Sequence, residues 1–124
     1  MLFRSAEALL NAVLVDEPQN MRAYQNLAAL AYTRGDLSRA EALARRAIEI
    51  DGAYFDAWNT LGAIYVVAKR PDEAVQALTR AVALGPASGQ AQYNLSLAWR
   101  ARGDAEAAAA AETQACALDR RYCR

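Results

Sequence analysis

The chain has 124 residues, the length of a single domain. Its 14 Lys and Arg are matched by 14 Asp and Glu, so no net field selects nucleic acid or an acidic membrane surface. Histidine is absent, which removes Cys–His and Ser–His nucleophile pairs, and two cysteines without histidine make no zinc site.

In chain order, residues 1–18 read as a helix whose apolar face includes Phe3, Leu9, Leu10 and Val13. Pro18-Gln19-Asn20 punctuates it, and a helix over 21–34 follows. Gly35-Asp36 makes the next turn: Gly supplies the stop and Asp the following start. A helix over 37–50 ends at Asp51-Gly52, and another runs over 54–68. Pro71, in Lys69-Arg70-Pro71-Asp72, cannot continue a helix from its left but suits a first helical turn. The remaining helices span 72–84, closed by Gly85-Pro86, then 89–101 and, after Gly103-Asp104, 105–118. The last is alanine-rich, Ala107 to Ala111 in a row, which favours helix but offers little bulk to bury. Arg120, Arg121 and Arg124 form a basic tail, read as frayed. Cys116 reads as a small core residue and Cys123 as a free thiol. If the last helix ran on through both, they would lie about 10 Å apart along its axis, too far to bridge.

One spacing organises these helices. Trp58, Leu61, Gly62, Tyr65, Ala74, Leu78, Ala81 and Pro86 mark its middle copy. Shifted 34 residues upstream, the slots hold Tyr24, Leu27, Ala28, Ala40, Ala44, Ala47 and Gly52. Downstream they hold Gln92, Leu95, Ser96, Trp99, Ala108, Glu112, Ala115 and Arg120. Ala6, Leu10, Val13 and Pro18 match the second half of the pattern. A fixed period of this length marks a repeat array. Small residues at Ala28, Gly62, Ser96, Ala40, Ala74 and Ala108 would let paired helices approach closely.

The pattern closely resembles the tetratricopeptide repeat family, whose signature slots are all met by the middle copy. The resemblance implies an all-α, right-handed α-solenoid of helix-turn-helix repeats with about seven helices. It divides the single domain, 1–124, into a half repeat over 1–20 and full repeats over 21–54, 55–88 and 89–122. It also implies a non-catalytic module that binds a peptide or protein partner in a concave groove lined by the first helix of each pair. The alternative is a structural scaffold or self-assembling subunit that uses its terminal helices. The helix over 1–18 has no preceding partner in the sequence. Two readings of its apolar face stand: a piece of a longer array, which is favoured, or a contact with a second copy of the chain. Glu112, in the slot of Ala44 and Leu78, suggests a terminal face turned to water.

At about 100° per residue the signature slots share one arc of each first helix. The opposite arc carries Arg22, Gln25 and Asn26, then Asn59 and Thr60, then Gln90, Tyr93, Asn94 and Arg100. The resemblance makes this arc the binding surface, with Arg22, Asn26, Asn59, Tyr93, Asn94 and Arg100 as candidate contacts. Asn26 and Asn94 share a slot where, in that family, an Asn hydrogen-bonds the backbone of an extended peptide. An amide carries both donor and acceptor, so it can read a peptide bond without reading side chains. The competing reading is a solvated helix face that tolerates Asn. Thr60 interrupts the row. Arg22 and Arg100 suit acidic ligand groups, but Thr60 and Gln90 depart from the family's carboxylate-clamp set.

Other chemistry is missing. No Gly-rich loop offers a phosphate cradle, no apolar run reaches bilayer length, and no cofactor or metal is implied. Arg34-Gly35-Asp36 and Arg102-Gly103-Asp104 spell an adhesion tripeptide, but helix-turn chemistry accounts for both. The first residues, Met1 to Glu7, are interrupted by charge before a signal-type stretch builds up, which reads as cytoplasmic, or periplasmic if an export signal was removed. The alanine and arginine usage hints at a bacterial source.

Overall fold

A computed structural model describes residues 5–124. Phe3, expected on the first apolar face, lies outside the described residues. Seven helices follow among those described: α1 (Ala6–Asp16), α2 (Met21–Thr33), α3 (Leu37–Ile50), α4 (Phe55–Val67), α5 (Pro71–Leu84), α6 (Gly89–Arg102) and α7 (Ala105–Leu118). A short 3₁₀ turn, Arg120–Tyr122, closes the chain.

Local chemistry sets the boundaries. Asn20 Oδ1 accepts from Ala23 N at 2.9 Å, and Ser88 Oγ accepts from Ala91 N at 3.1 Å. Each satisfies a backbone donor that the first turn leaves unpaired. Pro71 opens α5 as its first residue. The turns inside the helix pairs are copies of one another. Asp36 N donates to Ala31 O, Arg70 N to Tyr65 O and Asp104 N to Trp99 O, each at 2.9 Å. The residue before each donor takes a left-handed backbone: Gly35 (φ 80°), Lys69 (φ 61°) and Gly103 (φ 98°). Glycine suits that conformation and lysine does not.

The helices pack as pairs, α2 with α3, α4 with α5 and α6 with α7, and the pairs stack into an all-α solenoid. Small side chains seal the crossings: Ala28, Ala40, Ala44, Ala74 and Ala108 are wholly buried. At Gly62 even a methyl group would fall inside the Leu78 side chain. The aromatic slot has a polar duty as well. Tyr24 Oη donates to Pro18 O at 3.2 Å, and Trp58 Nε1 donates to Gly52 O at 2.8 Å, tying each helix to the turn before it.

Four expectations fail at the C-terminal end. Cys116 and Cys123 form a disulfide, so Cys123 is not a free thiol. The 10 Å estimate assumed a continuous helix, but α7 stops at Leu118 and the turn at Asp119 folds the chain back, leaving the two Cα atoms 4.5 Å apart. Cys116 is only half-buried. The tail is packed rather than frayed: Tyr122 N donates to Asp119 O at 3.0 Å. Glu112 is half-buried, not turned to water, because Arg100 and Arg124 both reach its carboxylate.

Candidate functional site

Helix α2 touches α4 and α4 touches α6, whereas among the described residues no contact joins α3, α5 and α7 to one another. A row closer on one side curves toward that side, so α2, α4 and α6 line its inner surface. Side-chain amides cross this surface from helix to helix. Gln25 Nε2 donates to Thr60 Oγ1 at 2.8 Å, and Asn94 Nδ2 donates to Asn59 Oδ1 at 3.2 Å. Both pairs join the same two repeat slots. Thr60 therefore continues the row that it was expected to interrupt, its hydroxyl taking the place of an amide. Asn59 Nδ2 also donates to Gln90 Oε1 at 3.2 Å.

Gln90, Asn59 and Asn94 thus form a chain of three amides. Its ends, Gln90 Nε2 and Asn94 Oδ1, have no partner among the described residues: one is a donor and one an acceptor. Gln25 Oε1 is buried without a partner among them, an arrangement that costs about 1–3 kcal/mol until something donates to it.

The other candidate residues are dispersed. Arg22 is exposed beside the Tyr54 hydroxyl. Burial and then Asp56 push that phenol above its ordinary range, with Arg22 opposing. Asn26 is exposed and, with Ala29 and Leu30, lines a groove whose other wall is Leu9 and Leu10 of α1. Tyr93 stacks on Tyr122, ring centres 4.8 Å apart. Arg100 Nη2 lies 2.8 Å from Glu112 Oε2, and Arg124 Nε lies 2.6 Å from Glu112 Oε1. The structure brings Asn59 and Asn94 together, sets Tyr93 and Arg100 under the C-terminal tail, and leaves Asn26 at the far end. Gln25, Thr60 and Gln90 sat on the predicted arc but were not among the candidate contacts. Tyr122 was missed, although it lies one period beyond Ser88 and two beyond Tyr54.

A second polar cluster joins α3 to α4 and α5. Glu41 accepts from Tyr65 Oη and Arg70 Nη1, each at 2.8 Å, and from Arg45 Nε at 3.1 Å. Burial pushes the Glu41 carboxyl up, but these donors outweigh it and hold it below its ordinary value. Burial and then the Glu41 hydrogen bond push the Tyr65 phenol up. Arg45 also donates to Tyr65 Oη and Arg70 to Glu73, so the cluster reads as a clamp between helix pairs.

Comparison with known proteins fits this architecture. One tetratricopeptide repeat model matches residues 31–95 and a second matches 2–55. The chain belongs to the tetratricopeptide repeat family. No curated protein matches it in sequence. Among solved structures it is similar to MamA 41-end from Desulfovibrio magneticus RS-1, with a TM-score of 0.85 at 26% identity, covering 94% of this chain and 68% of that one. It is also similar to YrrB, described as a tetratricopeptide protein with an unusual peptide-binding site: TM-score 0.85, 23% identity, 93% of this chain and 59% of that one. A further structure of MamA gives a TM-score of 0.84 at 19% identity, covering 96% of this chain and 77% of that one. The chain therefore spans about three fifths of YrrB and about three quarters of that MamA chain.

Proposed function

We propose that this repeat protein is a non-catalytic interaction module that binds an extended peptide segment of a partner on the inner surface of α2, α4 and α6. The observation that carries this reading is the chain Gln90–Asn59–Asn94, whose free ends are one donor and one acceptor. A peptide bond presents the complementary pair. Two such bonds contribute about 1 kcal/mol each, enough for orientation, with side-chain contacts supplying the rest. The unusual peptide-binding site described for YrrB supports this class of function by analogy.

Selection from a random displayed peptide pool, followed by calorimetric titration of the best synthetic peptide, tests the proposal. The double variant Asn59→Ala, Asn94→Ala should lose about tenfold in affinity or more while keeping the helical circular dichroism spectrum of the parent. Unaltered affinity in a folded double variant would remove the inner surface as the site.

A further inference from the structure

The repeat period gives an internal control for every slot, and one packing slot breaks its own pattern. It holds Ala31, Tyr65 and Trp99 in the three copies, so two copies carry a ring and one carries a methyl group.

Tyr65 shows what the ring does there. It is 2% exposed and belongs to one core cluster with Leu61 and Ile64. Its Oη donates to Glu41 Oε2 at 2.8 Å. The Arg70 guanidinium lies 4.6 Å from the ring centre and that of Arg45 lies 5.8 Å from it. A buried phenol is thus held by leucine and isoleucine, one carboxylate and two cations.

The copy around Ala31 keeps these parts without the ring. Leu27 and Leu30 stand in the slots of Leu61 and Ile64, and Glu7 stands in the slot of Glu41. Arg34 and Arg39 supply the cations, and both reach the Glu7 carboxylate. Together with Ala31 and Asp36 these five residues line a cavity of about 110 Å³. The site is complete within α1, α2 and the first turn of α3. An apolar cavity of about 150 Å³ takes benzene, so this one is of the order that one small ring requires. Its rim arginines are about half exposed and can swing outward. Water would satisfy the charged rim but not the Leu27 and Leu30 wall, which a ring covers.

We propose that the cavity beside Ala31 is a binding site for a phenol ring, either the side chain of a partner's tyrosine or a free phenol. The ring lies against Leu27 and Leu30 with Arg34 and Arg39 toward its face. Its hydroxyl donates to Glu7, a charge-assisted bond. This goes beyond the inner-surface reading and uses none of its residues.

The probes are p-cresol and a capped pentapeptide, Gly-Ala-Tyr-Ala-Gly, followed by amide nuclear magnetic resonance of the protein. Saturable shifts are expected around Glu7 and from Leu27 to Arg39, with a p-cresol dissociation constant of about 1 mM for so small a ligand. Toluene, which lacks the hydroxyl, should bind several-fold more weakly. Glu7→Gln should weaken p-cresol several-fold. Ala31→Tyr should put the chain's own ring in the cavity, abolishing p-cresol binding and raising the melting temperature. If that variant fails to fold, the toluene and Glu7→Gln comparisons still decide. Tighter binding of the pentapeptide than of p-cresol assigns the site to a tyrosine side chain, and the reverse assigns it to a free phenol. Absence of saturation at the solubility limit of p-cresol overturns the proposal. So does undiminished p-cresol binding in folded Ala31→Tyr or in Glu7→Gln, or toluene bound as tightly as p-cresol. Binding seen only in Phe3→Ala also overturns it, because the site would then belong to a ring of this chain.

Discussion

The first and last helices described, α1 and α7, are covered in opposite ways. At the C-terminal end the tail turns back, Cys116 and Cys123 join, and Tyr122 lies on Tyr93. Ala108 and Ala115 beneath it are wholly buried. At the N-terminal end α1 leaves Leu9 48% and Val15 81% exposed. Both ends begin from the same need, since each repeat buries its apolar face only against a neighbour. One end meets that need with a covalent loop, an aromatic stack and ion pairs. Among the described residues the other leaves Leu9 and Val15 exposed. Similar slots thus differ in burial according to what the adjoining segment does.

The interior seam is the standard for both ends, and Gly62→Leu should break it. A leucine there collides with Leu78 and forces α4 from α5, at a cost of about 3 kcal/mol. Thermal or urea unfolding reads the loss. Adding Leu78→Ala to the glycine variant should recover part of it, because the new side chain gains room. An unchanged melting temperature for Gly62→Leu would remove the close-packing argument at the seam.

Opening the C-terminal end should have the next largest effect. Cys123→Ser, or reduction by a dithiol, removes a short covalent loop worth about 2 kcal/mol. Hydrogen exchange should quicken in α7 and spare α3. The tail would then resemble α1, and Tyr93 would lose its stacking partner. Equal protection of α7 in both redox states would mean that ion pairs and stacking alone hold the cap.

This contrast also shows what the sequence could disclose. The 34-residue spacing placed the ends of α2 to α7 to within about one residue, because Gly, Asp and Pro at the turns dictate local backbone, whereas the helix expected over 1–18 is described as Ala6–Asp16. The disulfide escaped because the distance was reckoned along a helix continued through both cysteines, whereas α7 ends at Leu118 and Asp119 turns the chain back. Asp119 Oδ1 accepts from Arg121 N at 2.9 Å, and that side chain to backbone bond favours a turn over another helical turn. The amide arc was legible as a face, but not as a network. Whether Asn94 meets Asn59 depends on the axial offset between helices, which one helix's periodicity does not contain. Glu112 was misread for a similar reason: its partners Arg100 and Arg124 come from α6 and the tail.

A smaller effect compares the N-terminal end with the interior through one slot. Glu7 and Glu41 lie 34 residues apart. Glu7 pairs with Arg34 and Arg39 near the surface, while Glu41 gathers three donors and is 21% exposed. Glu41→Gln should cost about 1 kcal/mol at neutral pH, and Glu7→Gln less than about 0.5 kcal/mol. The folded Glu41 carboxyl lies below its ordinary value of 4.5, so its contribution is full above that pH. The contribution fades as pH falls through the lower, folded value. The gap between wild type and Glu41→Gln should therefore narrow below pH 4.5 in melts taken down the acid range. A gap that widened on acidification would reverse the assigned direction.

The smallest effect concerns the middle turn, and its sign is favourable. Gly35 and Gly103 take the left-handed backbone near the two ends, and Lys69 takes it between them at φ 61°. A side chain in that region costs about 1–2 kcal/mol. Glycine relieves this but loses more freedom on folding, about 0.5–1 kcal/mol. Lys69→Gly should therefore stabilise the chain by about 0.5 kcal/mol, a small rise in melting temperature. The turn keeps its bond from Arg70 N to Tyr65 O, and Arg70 keeps its place beside Glu41, so the gain should survive in the Glu41→Gln background. A loss of stability would mean that the Lys69 side chain contributes more than its backbone strain takes away.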